Sequence, residues 1–157
     1  MKKSLCLVVA LATLVCAGIA AAVGADELFI ALCAAGTPED VQKAIADGAN
    51  VNAQSNGGWT PLTIAAASNP NPGAVSALIK AGADVNAVTN TTAGEWTPLM
   101  LAAAYNGNPE VISALLKAGA DPKAKDNNGV SVLAYANEND NLKDTTALAE
   151  LTEAANR

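Results

Sequence analysis

The sequence predicts an all-α repeat solenoid, and three observations support this prediction. The phrase Trp-Thr-Pro-Leu occurs twice, at 59–62 and at 96–99. Copies of a Gly-Ala-(Asn/Asp) phrase begin at Gly48, Gly82 and Gly119, with spacings of 34 and 37 residues. Apolar residues make up 51% of the chain and aromatic residues only 3%, which suits closely packed helices with small side chains. Self-similarity at this period indicates one supersecondary unit copied along the chain.

The repeated phrase predicts where the first helix of each unit begins. Thr60 and Thr97 are good N-cap residues, because a hydroxyl oxygen can accept a hydrogen bond from the first turn. Pro61 and Pro98 then occupy the first helical position, where the missing N–H has no partner to lose. A short helix with a small-residue face is therefore predicted after each copy.

A second helix is predicted after the Asn-Pro step that follows in both central copies. Its apolar residues recur at i, i+3 and i+4, as Val75, Leu78 and Ile79 do. The glycine of the Gly-Ala-Asp phrase then supplies the left-handed conformation that ends the helix. The chain from Ala83 to Gly94 is predicted to form a finger that projects from the stack.

This pattern resembles the ankyrin repeat, whose usual form has about 33 residues with Thr-Pro-Leu-His near its start. The resemblance extends from Asp26 to the C-terminus. It implies helix-turn-helix units that each carry a β-hairpin finger, in about four copies whose outer two act as caps. The expected units are 26–53, 54–87, 88–124 and 125–157.

The chain departs from the family pattern at several places. Thr63 and Met100 stand where the family has its histidine, so the hydrogen bonds of that histidine are expected to be absent. The finger before Trp96 has three more residues than the finger before Trp59. The second helix of the last unit is expected at about 142–155.

The N-terminal segment has the layout of a secretory signal peptide. A basic start at 1–4 precedes an apolar run at 5–22, and small residues precede a cleavage site between Ala25 and Asp26. The expected localisation is exported, either periplasmic or secreted. Two alternatives remain open: an uncleaved signal anchor, since the run is close to about 18 residues, and a lipoprotein modified at Cys16.

Composition and charge disfavour several classes of function. The formal net charge is −6 at pH 7, so an acidic surface would repel nucleic acid. The chain has no histidine, and therefore lacks the commonest general base and metal ligand. Cys33, the cysteine left after signal removal, is expected to be a buried and inert thiol. The acidic stretches 126–129 and 138–141 do not complete a calcium loop, so neither a metal, a cofactor nor an enzymatic activity is expected.

The ankyrin resemblance implies a concave binding face made of finger tips and first helices. The residue before Thr-Pro-Leu and the pair after Ala-Ala belong to that face by resemblance, which places both tryptophans and one tyrosine on it. Aromatic side chains are typical of interface hot spots, but each tryptophan could instead pack against the neighbouring finger. The candidate partner-binding residues are Gln54, Asn56, Trp59, Ser68, Thr89, Asn90, Glu95, Trp96 and Tyr105.

The function predicted from the sequence is that of a non-enzymatic, monomeric, exported module that binds another protein. Its acidic charge favours a neutral or basic partner. Two alternatives stay open: an inhibitor or immunity protein for a periplasmic enzyme or toxin, and a membrane-tethered scaffold that keeps its signal segment.

Overall fold

The computed structural model describes residues 24–90 and 94–157. These residues form four consecutive pairs of α-helices, and the prediction of an all-helical solenoid is confirmed. The expected signal segment lies outside the described residues except for Gly24 and Ala25. The helices are α1 Ala25–Cys33, α2 Pro38–Ala46, α3 Pro61–Ser68, α4 Pro72–Lys80, α5 Pro98–Tyr105, α6 Pro109–Lys117, α7 Val132–Glu138 and α8 Thr146–Asn156.

The helices stack in two rows, and the core lies between the rows. Helices α1, α3, α5 and α7 pack on one another in that order, and α2, α4, α6 and α8 form the second row. One cluster of buried apolar side chains runs without interruption from Phe29 to Leu151. Each repeat therefore packs mainly on its neighbours, so stability depends on the interfaces between successive repeats.

The predicted helix starts are confirmed in both central repeats. The Thr60 hydroxyl oxygen accepts the N–H of Thr63 at 3.2 Å, and that of Thr97 accepts the N–H of Met100 at 3.3 Å. Thr63, which stands at the histidine position, completes a capping box with Thr60, because its hydroxyl accepts the Thr60 N–H at 2.7 Å and donates to the Thr60 carbonyl at 2.9 Å. Met100 has no such polar atom and is fully buried in the core.

The predicted glycine stops are also confirmed. Gly82 has a φ of 91°, in the left-handed region that favours glycine. Its N–H donates to the Ile79 carbonyl, and the Ala83 N–H donates to the Leu78 carbonyl, both at 3.0 Å. These two bonds satisfy carbonyl groups that the end of α4 would otherwise leave without partners.

A ladder of buried asparagines joins successive repeats, and the sequence reasoning missed it. Asn69, Asn106 and Asn139 follow the first helix of repeats two, three and four, and each is less than 9% exposed. The Asn106 amide donates to the carbonyls of Ala66 and Asn69 in the preceding repeat, at 2.8 and 2.9 Å. The other two asparagines make the equivalent pair of bonds.

The ladder satisfies backbone groups that the helices cannot satisfy themselves. The Ala66 carbonyl lies in the last turn of α3, and the residue four positions on is Pro70, which has no N–H. The Asn106 amide supplies the missing donor. A second, exposed ladder links Asn52 to the Gly82 carbonyl at 3.1 Å and Asn86 to the Gly119 carbonyl at 3.3 Å. Asparagine therefore acts at both ends of the repeat unit as the polar connection between copies.

The last repeat differs from the prediction. Its second helix, α8, begins at Thr146 instead of about 142, and a 3-10 turn at Asp140–Leu142 ends where that helix was expected to begin. Asp144 has a φ of 59°, which interrupts any continuous helix. Leu142 is still buried, at 1% exposure. The 3-10 turn therefore places this side chain in the core without a helix at that position.

Candidate partner-binding site

Three finger loops carry the chain from one repeat to the first helix of the next. In each loop, a backbone hydrogen bond of 3.0 Å joins the two sides of the finger. The expected β-hairpins are reduced to such closures, since the described parts of the fingers contain isolated bridges but no extended strand. The three closing bonds run from Ser55 N–H to Trp59 O, from Thr89 N–H to Trp96 O, and from Asp126 N–H to Val130 O.

The first two fingers touch each other. The Asn90 N–H donates to the Gly57 carbonyl at 3.1 Å. The next residue, Gly58, has a φ of 72°, and a Cβ built on it would lie 2.7 Å from the Asn90 nitrogen. The close approach therefore requires glycine at 58. Asn56 and Asn90, one in each of these fingers, are both exposed.

Thr89 is a correction to the predicted contact set. Thr89 is 0% exposed, and its hydroxyl oxygen accepts the backbone N–H of Trp96 at 3.1 Å. Thr89 therefore closes the second finger from inside and offers no surface to a partner. Sequence position alone suggested exposure, because threonine in a long polar loop is usually solvated.

Both tryptophans combine packing with partial exposure. Trp59 and Trp96 are half-buried and pack against the apolar core. The backbone N–H of Trp59 also donates to the Ser55 hydroxyl oxygen at 3.2 Å. The residues that follow Ala-Ala on the first helices differ widely in exposure. Ala67 is buried at 2% exposure, Ser68 is half-buried, and Tyr105 is 52% exposed.

Trp96 lies at the centre of a group of three rings that we call the aromatic cluster: Trp96, Tyr105 and Tyr135. The Trp96 and Tyr105 centroids are 5.8 Å apart with an interplanar angle of 29°, and the Trp96 and Tyr135 centroids are 4.5 Å apart. Trp59 stacks on no other described aromatic ring. The structure thus brings together two of the predicted residues and adds a third from the next repeat.

Tyr135 was missed by the sequence reasoning. Aligning Ser131-Val132-Leu133 with Thr97-Pro98-Leu99 places Tyr135 at the position of Leu101. Leu101 is 2% exposed, so the alignment indicates a core residue. The larger tyrosine ring is instead only half-buried and reaches Trp96 of the preceding repeat.

A buried carboxylate, that of Asp126, is hydrogen-bonded to the aromatic cluster through Tyr135. Asp126 is 6% exposed, and its oxygens accept the Tyr135 hydroxyl at 2.8 Å and the Val130 N–H at 2.8 Å. Asn128 donates to it through both its backbone and side-chain amides. In the third finger, which superficially resembled a calcium loop, the Asp126 carboxylate thus accepts its hydrogen bonds from protein donors. Within the described residues no group of acidic and cysteine side chains is arranged to hold a metal ion.

The two partners of this bond favour opposite proton states. Burial alone would raise the pKa of Asp126, but the hydrogen bonds from Tyr135, Val130 and Asn128 outweigh it and lower the pKa. Burial, followed by the Asp126 hydrogen bond and negative charge that includes Glu138, raises the pKa of Tyr135 to about 12. At neutral pH the pair is therefore an ionised acceptor and a neutral donor.

The remaining predicted residues are surface residues. Gln54, Asn56, Asn90 and Glu95 are all exposed. Cys33, by contrast, is 0% exposed, and burial raises the pKa of its thiol to about 12. A thiol of this kind is a poor nucleophile. None of the described helices is long and apolar enough to cross a bilayer.

Fold and site together define a helical repeat protein with an aromatic surface formed across repeat boundaries. Residues 28–126 and 74–156 match the family model described as ankyrin repeats (3 copies). The matches span most of the chain, and the protein belongs to the ankyrin-repeat family. Ankyrin repeats serve as protein–protein interaction modules and are generally non-enzymatic. No curated protein sequence matches the chain.

Proposed function

We propose that this protein binds a partner protein through the face that carries the fingers and the aromatic cluster. The observation that supports this is the position of the exposed apolar side chains. Val88 and Tyr105 are the large hydrophobic side chains exposed in the described residues, at 47% and 52%, and both lie in the third repeat. An exposed aromatic on a rigid helix end supplies contact area at little loss of side-chain entropy.

Tyr105→Ala tests this function. The exposed ring contributes little to the fold, so we expect the variant to retain its helical circular dichroism but to capture the partner at least about tenfold less efficiently. The measurement is quantitative mass spectrometry of proteins that co-purify with the tagged chain. If a captured protein is an enzyme, its rate with and without saturating chain tests the inhibitor role.

A matched variant controls for nonspecific loss. Gln42 is an exposed residue on α2, in the other helix row, and Gln42→Ala should leave capture unchanged. Equal capture by the wild type, Tyr105→Ala and Val88→Ser would overturn the proposed face.

We also propose that the protein is exported and cut between Ala25 and Asp26. Cleavage there would remove the Gly24 N-cap and the bond from Leu28 N–H to the Gly24 carbonyl, 3.1 Å long. Helix α1 would keep Phe29, Ile30 and Cys33, which anchor it in the core, and the first-turn acids Asp26 and Glu27 suit a helix N-terminus.

The mass of the mature protein checks this proposal. We expect a chain that starts at Asp26 in the exported fraction, and a matching loss of residues 1–25. Recovery of the full-length mass in membranes after a high-salt wash would instead establish the retained anchor, and a lipid adduct on Cys16 would establish the lipoprotein.

A further inference from the structure

Tyr105 presents a flat aromatic face to solvent. Trp96 covers one side of its ring, at a centroid distance of 5.8 Å and an interplanar angle of 29°. The side chain nevertheless remains 52% exposed. The open side is therefore a preformed stacking surface, held in place because Trp96 is itself packed against the core and against Tyr135.

Three carboxylates lie next to Trp96 or Tyr135 in the aromatic cluster. Glu95 precedes Trp96 and is exposed, and Glu138 lies one helical turn after Tyr135 on α7. The Asp126 carboxylate accepts the Tyr135 hydroxyl at 2.8 Å. Together with the exposed Lys125, these groups comprise three carboxylates and one ammonium, a local net charge of −2 within a chain of −6.

The hydrogen bond to Asp126 also affects the Tyr135 ring. A phenol that donates to a carboxylate gains electron density, and an electron-rich ring attracts cations more strongly to its face. Tyr135 is in ring contact with Trp96, which in turn stacks on Tyr105. The cluster therefore combines an open π-face on Tyr105 with carboxylates next to the other two rings, which is an environment that a cationic side chain prefers.

We propose that the aromatic cluster docks the guanidinium group of an arginine from a basic segment of the partner. This inference rests on the proposed binding function and names the chemistry of the partner. Arginine fits better than lysine, because its guanidinium is planar, stacks on aromatic faces and is more weakly hydrated than an ammonium. The carboxylates of Glu95 and Glu138 add long-range attraction for the same group.

The test is a titration followed by nuclear magnetic resonance. The probes are the peptides acetyl-Ser-Gly-Arg-Gly-Ser-amide and its citrulline counterpart, which has nearly the same shape and no charge. The chain has two tryptophans, so the ¹⁵N-labelled protein gives two indole N–H signals. We expect the arginine peptide to shift the Trp96 signal, with an affinity about tenfold above that of the citrulline peptide. The Trp59 signal is the internal reference and should not move.

Two variants locate the site. Tyr105→Leu keeps an apolar side chain but removes the π-face, and should abolish the preference for arginine over citrulline. Glu138→Gln should weaken the arginine peptide severalfold, with a smaller effect at high salt. An unchanged arginine preference in Tyr105→Leu would overturn the proposal.

The remaining outcomes separate this inference from the proposed function. Equal shifts with the two peptides, no shift with the arginine peptide, or a larger shift with a leucine peptide would each overturn arginine docking. The binding function is decided independently by capture with Tyr105→Ala. If Tyr105→Ala loses capture but the wild type does not prefer the arginine peptide, the proposed binding face stands and arginine docking is overturned. The partner would then bind this face through apolar side chains.

Discussion

Asn106→Ala is expected to lower the free energy of unfolding by about 3 kcal/mol. The side chain is 3% exposed and donates to the carbonyls of Ala66 and Asn69, while its own oxygen accepts the Asn108 N–H at 2.9 Å. Alanine would leave two buried carbonyls without donors and would open a small void at the interface of repeats two and three. Urea denaturation followed by circular dichroism measures the loss.

Asn108→Ala is the matched control for this prediction. Asn108 also makes two side-chain bonds, to the Glu110 N–H and the Pro70 carbonyl, but it is less buried. Its loss is expected to be about 1 kcal/mol, as for other N-cap asparagines. Equal losses from the two variants would contradict the idea that burial makes the inner ladder the main polar connection between repeats.

The second large effect is expected from Trp96→Ala, which should lower the free energy of unfolding by about 2 to 3 kcal/mol. Trp96 packs against the core and contacts both tyrosine rings of the aromatic cluster. Its truncation would remove this packing and free Tyr105 and Tyr135 from their fixed positions. Thermal and urea unfolding, measured alongside partner capture, give both consequences.

Tyr105→Ala is the comparison that gives this result its meaning. The exposed ring should contribute less than about 1 kcal/mol to stability, while its loss affects capture as strongly as Trp96→Ala. A stability loss in Tyr105→Ala as large as that in Trp96→Ala would show that both rings are structural. The pair of single variants thus separates lost folding from lost binding.

The helix ends could be predicted from the sequence because they depend on neighbouring residues. Thr60 and Pro61 meet the needs of a helix start within three positions, and Gly82 ends α4 through its own backbone conformation. The period of the repeats then indicated the stacking. The start of the second helix in the last repeat was not predicted, since Asp144 adopts a left-handed conformation that favours glycine.

The candidate site was less predictable, because its contacts join residues of different repeats. Trp96 and Tyr105 were expected on one face from their places in the repeat unit. Tyr135 joins them across a repeat boundary, and Thr89 turns inward to close its own finger. Neither arrangement follows from spacing along the chain.

By itself, the sequence determined that this protein is a stack of helix pairs of the ankyrin type, with aromatic residues before the central helices. That much follows from local capping, glycine conformation and the repeat period. Only the tertiary structure decided which polar groups join the repeats and which rings form the cluster. Asn106 must reach carbonyls 37 and 40 residues away, and Tyr135 must reach Trp96. Such contacts are set by how one repeat rotates on the next, which no single repeat encodes.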